Sequence, residues 1–276
     1  AVAVPFDVDR SGVVAASRNF YGVLEVVRKG TDDDYEQRMV LYNGRILHGV
    51  QYLQPERQDE PTTYYNEESG IGITLICFPR IGPMRVATVG LGTGTIASYG
   101  RDGDMYRFYE INPDVLEIAR NHFTFLSDCP ADVDVVLGDA RLQMEQQPPQ
   151  EYDVLALDAF SGDAIPAHLL TVEAFAVYLK HLRPDGVIAV HVSNRHLDLR
   201  PIVAHLAAMH DMQVIEIDSD DFGGAGDSSA DWLLVTTNED FLNDQMVVDA
   251  ATDVDPPDPA IRVWTDQYSN LFQILK

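Results

Sequence analysis

The sequence predicts an α/β fold preceded by a small β-rich domain, and three observations carry that reading. Past Pro83, apolar runs rich in Val, Ile and Leu alternate with stretches of helical spacing, the pattern of βαβ units and a parallel sheet. A glycine-rich turn follows the first of those runs. Before Pro83 the text reads instead as short strands with a hairpin signal among them.

In the N-terminal part, strands are expected from Phe20 to about Leu75, beginning with FYGVLEVV and continuing with MVLYNGRILHGVQYL. Asn43-Gly44 lies between apolar runs there, and such a pair favours the tight turn of a hairpin. The run Asp32-Asp33-Asp34 reads as a solvated loop. With the change of rhythm at Pro83, the expected domains are residues 1–80, β-rich, and 81–276, Rossmann-like.

Within the second domain, strands are expected at Val86–Val89, Tyr106–Tyr109, Asp134–Leu137, Val154–Leu157, Val187–Val192, Gln213–Ile217 and Trp232–Thr236. Seven strands suit a Rossmann-like sheet of the class I methyltransferase type. Asn112 before Pro113, and Thr171 before VEAFAVYLKHL, supply helix start signals. Arg183-Pro184-Asp185-Gly186 reads as the turn that ends the second of these helices. The acidic, Pro-rich stretch from Asp249 to Pro259 reads as a linker to a final segment, IRVWTDQYSNLFQIL.

Composition bounds the function. The 276 residues carry 46% hydrophobic and 23% charged residues, ordinary for a folded globular chain. Nineteen Lys and Arg against 44 Asp and Glu give a formal charge of −25, which repels phosphate backbones and anionic membranes and argues against nucleic acid as a partner. A small polycation would be attracted, although an acidic surface also serves solubility. Cys77 and Cys129 lack C-x-x-C spacing, so neither a disulfide framework nor a zinc site is indicated, and a reducing, cytoplasmic location is expected. There is no apolar run of the ~18 residues that a membrane span needs. A start at Ala1 rather than Met fits processing or excision from something longer.

The segment VATVGLGTGTIA sets Gly90, Gly92 and Gly94 after an apolar strand and before an expected helix, where backbone can turn tightly against a ligand. Glu110 follows twenty positions after Gly90, at the end of the next strand, where a carboxylate can accept two hydrogen bonds from ribose hydroxyls. The G-x-G-x-x-G spacing of dinucleotide binders is missing, since Thr95 stands where the third glycine would be; the choice tilts toward an adenosyl sulfonium. Asp139, in LGDAR, can accept from an adenine amino group, with Ala140 offering a backbone donor; read alone, Asp139 equally fits a helix N-cap before RLQMEQ.

With YDVLALDAFSGDAIPAHLLTVEAF, and with FYGVLEV, NGRILHGVQ and VWTDQYSN, the chain resembles the spermidine synthase family over nearly its whole length, especially a bacterial branch often fused to membrane segments. The resemblance implies aminopropyl transfer from decarboxylated S-adenosylmethionine to putrescine or a related amine, with release of methylthioadenosine and no metal. It matches Gln51 to the family's glutamine after the N-terminal hairpin, which implies a cofactor-binding role, and Tyr65 and Glu67 to a Tyr-x-Glu at the active-site entrance, which implies substrate binding for both and a catalytic role for Tyr65. Glu110 and Asp139 match the ribose- and adenine-binding acids, and Asp158 the first aspartate of a gate-keeping loop, the family's proposed proton acceptor; Asp163 would be the second. A homodimer is implied, often through the β-rich region, and a fused or associated membrane domain is compatible with the same branch.

The chemistry asks for such residues. A primary alkylamine with a pKa of about 10 is protonated at neutral pH and cannot attack carbon until a base frees its lone pair. Asp158, after a central parallel strand, sits where open α/β sheets place reacting groups. The sulfonium is already a good leaving group.

Two departures bear on the substrate. Thr93 stands where the family carries an aspartate in its cofactor loop, which opens the use of intact S-adenosylmethionine, in methyl transfer or an intramolecular reaction, as an alternative. Asp158 and Asp163 are separated by four residues where the usual pattern has two. A non-catalytic domain that senses an adenosyl metabolite or polyamine is the third reading. Asp158 also fits a turn cap, Asp163 a loop position, and Gln51 and Tyr65 hairpin surface positions. His191 and His196 read as satisfied structural histidines, and Trp264 and Tyr268 as core residues, with a place in the pocket wall as the alternative for that pair.

Overall fold

The computed structural model describes residues 12–31, 35–160, 166–219 and 229–276. Asp32-Asp33-Asp34 and Asp163 lie outside the described residues.

β1 (Val13–Asn19), β2 (Gly22–Lys29), β3 (Arg38–Asn43) and β4 (Ile46–Tyr52) form an antiparallel sheet in chain order. Asn19 pairs with Gly22, so Phe20 and Tyr21 form a hairpin loop rather than the start of a strand, and a strand that the sequence reading missed precedes them. Asn43 pairs with Ile46, which leaves Gly44-Arg45 as the second loop, with Gly44 at φ 62° as a tight turn requires. In the same pair Leu41 faces Gly49 while Tyr42 faces Leu47, so His48 is the extra residue of a β-bulge.

The expected run of strands to Leu75 is corrected at its end: Gly70–Cys77 is an α-helix. GIGITLIC has no polar face, and an apolar run of that length reads as strand or buried helix alike. What decides for helix is the context. Ser69 caps the first turn by accepting from Gly72 N–H at 3.1 Å, and Gly70 lets the helix backbone lie against the Trp232 side chain of the large sheet.

That sheet contains β5 (Arg85–Val89), β6 (Met105–Glu110), β7 (Asp132–Leu137), β8 (Tyr152–Leu157), β9 (Leu182–His191), β10 (Gln213–Ser219), β11 (Ala230–Thr236) and β12 (Thr252–Asp253), in the order β12-β10-β11-β9-β8-β5-β6-β7. From β9 to β7 the strands are parallel, and β11, β10 and β12 continue antiparallel. All seven expected strands are present; the eighth is a two-residue pairing inside the stretch read as a linker. Arg183–Gly186 belongs to β9 as an irregularity, since Tyr152 pairs with Leu182 and Val154 with Val187. Asn112 and Thr171 cap the helices Pro113–His122 and Val172–His181, accepting from Asp114 N–H and Ala174 N–H.

Helices cover both faces of the sheet, as a parallel core requires. Ile71, Phe108 and Trp232 are buried on one face, and Leu155, Phe175 and Ile202 on the other. The final segment returns to this core: Trp264 is buried and its carbonyl accepts from Val172 N–H at 2.9 Å. Among the described residues no helix is long and apolar enough to cross a membrane.

Gly70→Ala tests the helix packing. The new methyl would collide with Trp232, and overpacking of this kind costs about 1–3 kcal/mol. Urea unfolding should show a lowered midpoint; an unchanged midpoint would contradict this placement.

Candidate active site

In the strand order, β5 lies between β8 and β6, so the chain direction across the sheet reverses at β5 and a crevice opens at the carboxyl ends of β5 and β8. Gly90 leaves β5 there at φ +102°, and any side chain on it would run into the Asp158 carbonyl. Gly90 N–H donates to Tyr109 O and Asp158 N–H to Val89 O, both at 2.9 Å, so the glycine turn and the Asp158 segment are stitched to the strand ends. The helix expected after the glycines is a short 3-10 turn, Thr95–Tyr99, begun by Gly94 in a left-handed conformation. Gly94 abuts Leu126 rather than the crevice. Thr93 is buried, its hydroxyl 2.9 Å from that of Thr95, and it packs beneath Gly49.

A cavity of about 250 Å³ fills the crevice, and Gly90, Gly92, Glu110, Asp139, Ala140 and Asp158 all line it. Leu24 and Leu41 of the small sheet form an apolar wall. Glu110 is held by Leu91 N–H at 3.0 Å on one oxygen and Asn112 N–H at 2.7 Å on the other, and it lines the cavity. Burial raises its pKa above 4.5, opposed by these backbone donors and by that of Ile111. Asp139 is an N-cap, as one of its two readings expected. One oxygen caps the helix Ala140–Gln146 through Leu142 N–H at 2.9 Å, the other meets His168 Nε2 at 2.9 Å, and the residue still lines the cavity. A paired acceptor, a second acid and an apolar wall fit a nucleoside.

Asp158 stands in a buried network. Tyr65 donates its hydroxyl to Oδ2, and His191 Nδ1 lies 2.6 Å from Oδ1. A carboxylate only accepts, so the His191 proton resides on Nδ1, and Nε2 accepts from Ser193 Oγ at 3.0 Å. Ser193 in turn accepts from Asp231 N–H at 2.7 Å, which leaves its proton for His191. The imidazole stacks on Trp232, with centroids 4.7 Å apart at 12°. Burial and the Asp158 charge push the Tyr65 phenol well above its ordinary pKa, so it remains a donor. His191 is the residue that sequence reasoning assigned to structure and the fold brings to the site. The available signal was its place at the end of β9, the strand beside Asp158's own.

Other expected residues are placed differently. Tyr65 is buried behind Asp158, and its neighbour Tyr64 lines the second cavity instead. Gln51 reaches neither cavity: its amide donates to Gln58 O and Thr124 Oγ1 and accepts from Thr124 N–H, each at 2.9 Å, clamping the small sheet to the large domain. Glu67 is exposed beyond the 3-10 turn Thr63–Tyr65 and lines neither. His196 is exposed too. The second cavity, of about 440 Å³, is bounded by Tyr64, His191, Arg195 and Asp231, and shares Phe160 and His48 with the first.

The fold is of the class I methyltransferase-like type. Comparison with known proteins narrows this. No family model matches the chain. In sequence it is similar to a polyamine aminopropyltransferase of Vibrio vulnificus, 25% identical over 194 residues, which are 68% of this chain and 61% of that one. The chain therefore spans about three fifths of that relative's length. In structure it is similar to a probable spermidine synthase from Corynebacterium glutamicum, with a TM-score of 0.69, 18% identity, and coverage of 93% of this chain and 98% of that one. A spermidine synthase solved in complex with the transition-state analogue AdoDATO matches with a TM-score of 0.57 and 14% identity, over 93% of this chain and 83% of that one. These likenesses support the resemblance to the spermidine synthase family that the motifs carry.

Two outcomes follow from the geometry. Gln51→Ala strands the Thr124 N–H and should cost about 1–3 kcal/mol in urea unfolding while calorimetric affinity for methylthioadenosine changes little; a large loss of affinity at unchanged stability would place Gln51 in the site. Because the ionised Glu110 is the better acceptor for ligand hydroxyls, and burial raises its pKa, nucleoside affinity should fall on acidification at a higher pH than an ordinary carboxylate would give. In Glu110→Gln the affinity is lower and this dependence on pH is gone; an unaltered titration would contradict the ribose role.

Proposed function

We propose that the protein transfers an aminopropyl group from decarboxylated S-adenosylmethionine to putrescine or a related small amine and releases methylthioadenosine. The observation that carries the reading is the Asp158 carboxylate, buried yet reachable from the cavity that Glu110 and Asp139 also line. Glu110 takes the ribose hydroxyls, Asp139 and Ala140 the adenine edge, and Asp158 the cationic end of the reaction. The likeness to aminopropyltransferases and to spermidine synthase structures supports the same chemistry.

The reaction needs little beyond placement. Holding an amine in line with the sulfonium-bound carbon removes most of the entropic barrier of a bimolecular displacement. Asp158, fixed by Tyr65 and His191, attracts the ammonium and orients it without reorganising. The alternative use of intact S-adenosylmethionine is not favoured: its motive was Thr93, whose side chain turns beneath Gly49 and does not line the cavity. A homodimer and a cytoplasmic location belong to the same proposal, and sedimentation at twice the mass of the chain tests the first.

Incubation with decarboxylated S-adenosylmethionine and a series of diamines, read by mass spectrometry, should show methylthioadenosine with an aminopropylated amine. Asp158→Asn should slow it about 10²–10³-fold with nucleoside affinity retained. S-adenosylhomocysteine from the intact cofactor, with no methylthioadenosine under any amine, would contradict the proposal.

A further inference from the structure

We propose that His168 is a positioning residue of the nucleoside site, one that aims the Asp139 carboxylate at the amino edge of adenine, and that the C-terminal segment holds His168 in place through Asp266 and Arg141. The inference rests on the nucleoside site of the transferase reading above and adds to it a determinant of which nucleobase is taken.

Asp139 and His168 are the two described residues common to the walls of the nucleoside cavity and of a neighbouring recess of about 520 Å³. The carboxylate therefore stands between two open spaces, and its direction has to be set by its bonds. Oδ1 is taken by the helix cap through Leu142 N–H at 2.9 Å, which fixes the root of the side chain. Oδ2 lies 2.9 Å from His168 Nε2 and has no other hydrogen bond among the described residues. A carboxylate only accepts, so Nε2 carries the proton and donates. Without that donor nothing holds Oδ2 to the cavity rather than to the recess.

His168 is in turn fixed from the far end of the chain. It lies in the 3-10 turn Ala167–Leu169, and its carbonyl accepts from Arg141 Nη1 at 3.2 Å. Arg141, two residues after Asp139 on the helix Ala140–Gln146, is gripped by Asp266 through two bonds of 2.5 and 2.6 Å, the forked pairing that gives a guanidinium direction as well as charge. Thr171 Oγ1 donates to the same carboxylate at 3.0 Å, and Asp266 N–H donates to Glu173 at 3.0 Å. The segment VWTDQYSN thus ties the turn that carries His168 to the helix that Asp139 begins.

The side chain of His168 is 48% exposed and that of Asp139 20%, and a pair so near solvent adds little to folding. Its effect falls on the ligand instead. Adenine presents an amino donor where Oδ2 is held, whereas hypoxanthine presents a carbonyl oxygen there, which a carboxylate repels. With its N–H committed to Asp139, His168 offers that oxygen no donor in compensation. A polar group held in one direction discriminates between bases more sharply than a free one, because the wrong base leaves it unpaired.

Calorimetric affinities for methylthioadenosine and methylthioinosine, beside turnover of decarboxylated S-adenosylmethionine with putrescine, test this. In His168→Ala the expected result is methylthioadenosine affinity lower by about 10-fold, the preference over methylthioinosine reduced by a similar factor, a loss that appears in KM for the cofactor rather than in kcat, and a urea midpoint little changed. His168→Gln, which keeps a donor at the same reach, recovers most of the preference, and Asp266→Asn lowers it in the same direction but less far. Wild-type affinity and preference in His168→Ala, or an equal loss of affinity for both nucleosides, would overturn the positioning role and leave the transferase reading standing. A wild type that prefers adenine through His168 but yields no methylthioadenosine with any amine would overturn the transferase reading and leave the positioning role in place.

Discussion

The structure depends on holding one buried carboxylate in a fixed orientation. Asp158 is nearly excluded from water, and an isolated carboxylate in such a place would be prohibitively costly without donors of its own. The fold supplies them from two separate parts of the chain, Tyr65 from the segment after the small sheet and His191 from the end of β9, while the backbone of Asp158 is tied to β5. The Tyr65 phenol is held protonated by the very charge it serves, and the Ser193 hydroxyl fixes which His191 nitrogen faces the carboxylate. Removal of either donor leaves one carboxylate oxygen without its partner.

Seen this way, the small sheet is part of the site. It is fastened to the large domain by Gln51 on Thr124, Asn19 on Asn112 at 2.6 Å and Ser17 on Asp114, all at or beside the two helix starts that follow β6. These contacts set Leu24 and Leu41 of the small sheet in the wall of the cavity that Gly90 and Gly92 also line, with the bulged His48 in the walls of both cavities. The formal charge of −25 fits an amine substrate in sign, but the specific work is local: Glu110 and Asp139 already make backbone or histidine contacts and line the cavity.

Much of the large domain was legible because its signals are local. Apolar runs bounded by polar turns gave all seven major strands, Asn112-Pro113 and Thr171 gave two helix starts, and the spacing from Gly90 to Glu110 picked out two residues that line the cavity. The remainder depends on contacts between distant positions. GIGITLIC carries no period, and only Ser69 and the space beside Trp232 decide for a helix. His48 reads as an ordinary strand residue until a one-residue offset against β3 turns it toward the crevice. His191 has no neighbouring motif in the sequence, and its role appears once β9 lies beside β8. Gln51 was taken for a ligand-binding residue on family resemblance, whereas its hydrogen bonds are all used within the chain.

A crystal structure of the protein with methylthioadenosine tests the central claim most directly. The account predicts the ribose hydroxyls on Glu110, the adenine against Asp139 and Ala140, and the thioether sulfur facing Asp158 with the Tyr65 and His191 bonds intact. A nucleoside bound outside the crevice, or an Asp158 side chain turned away from the sulfur and released from those two donors, would contradict it.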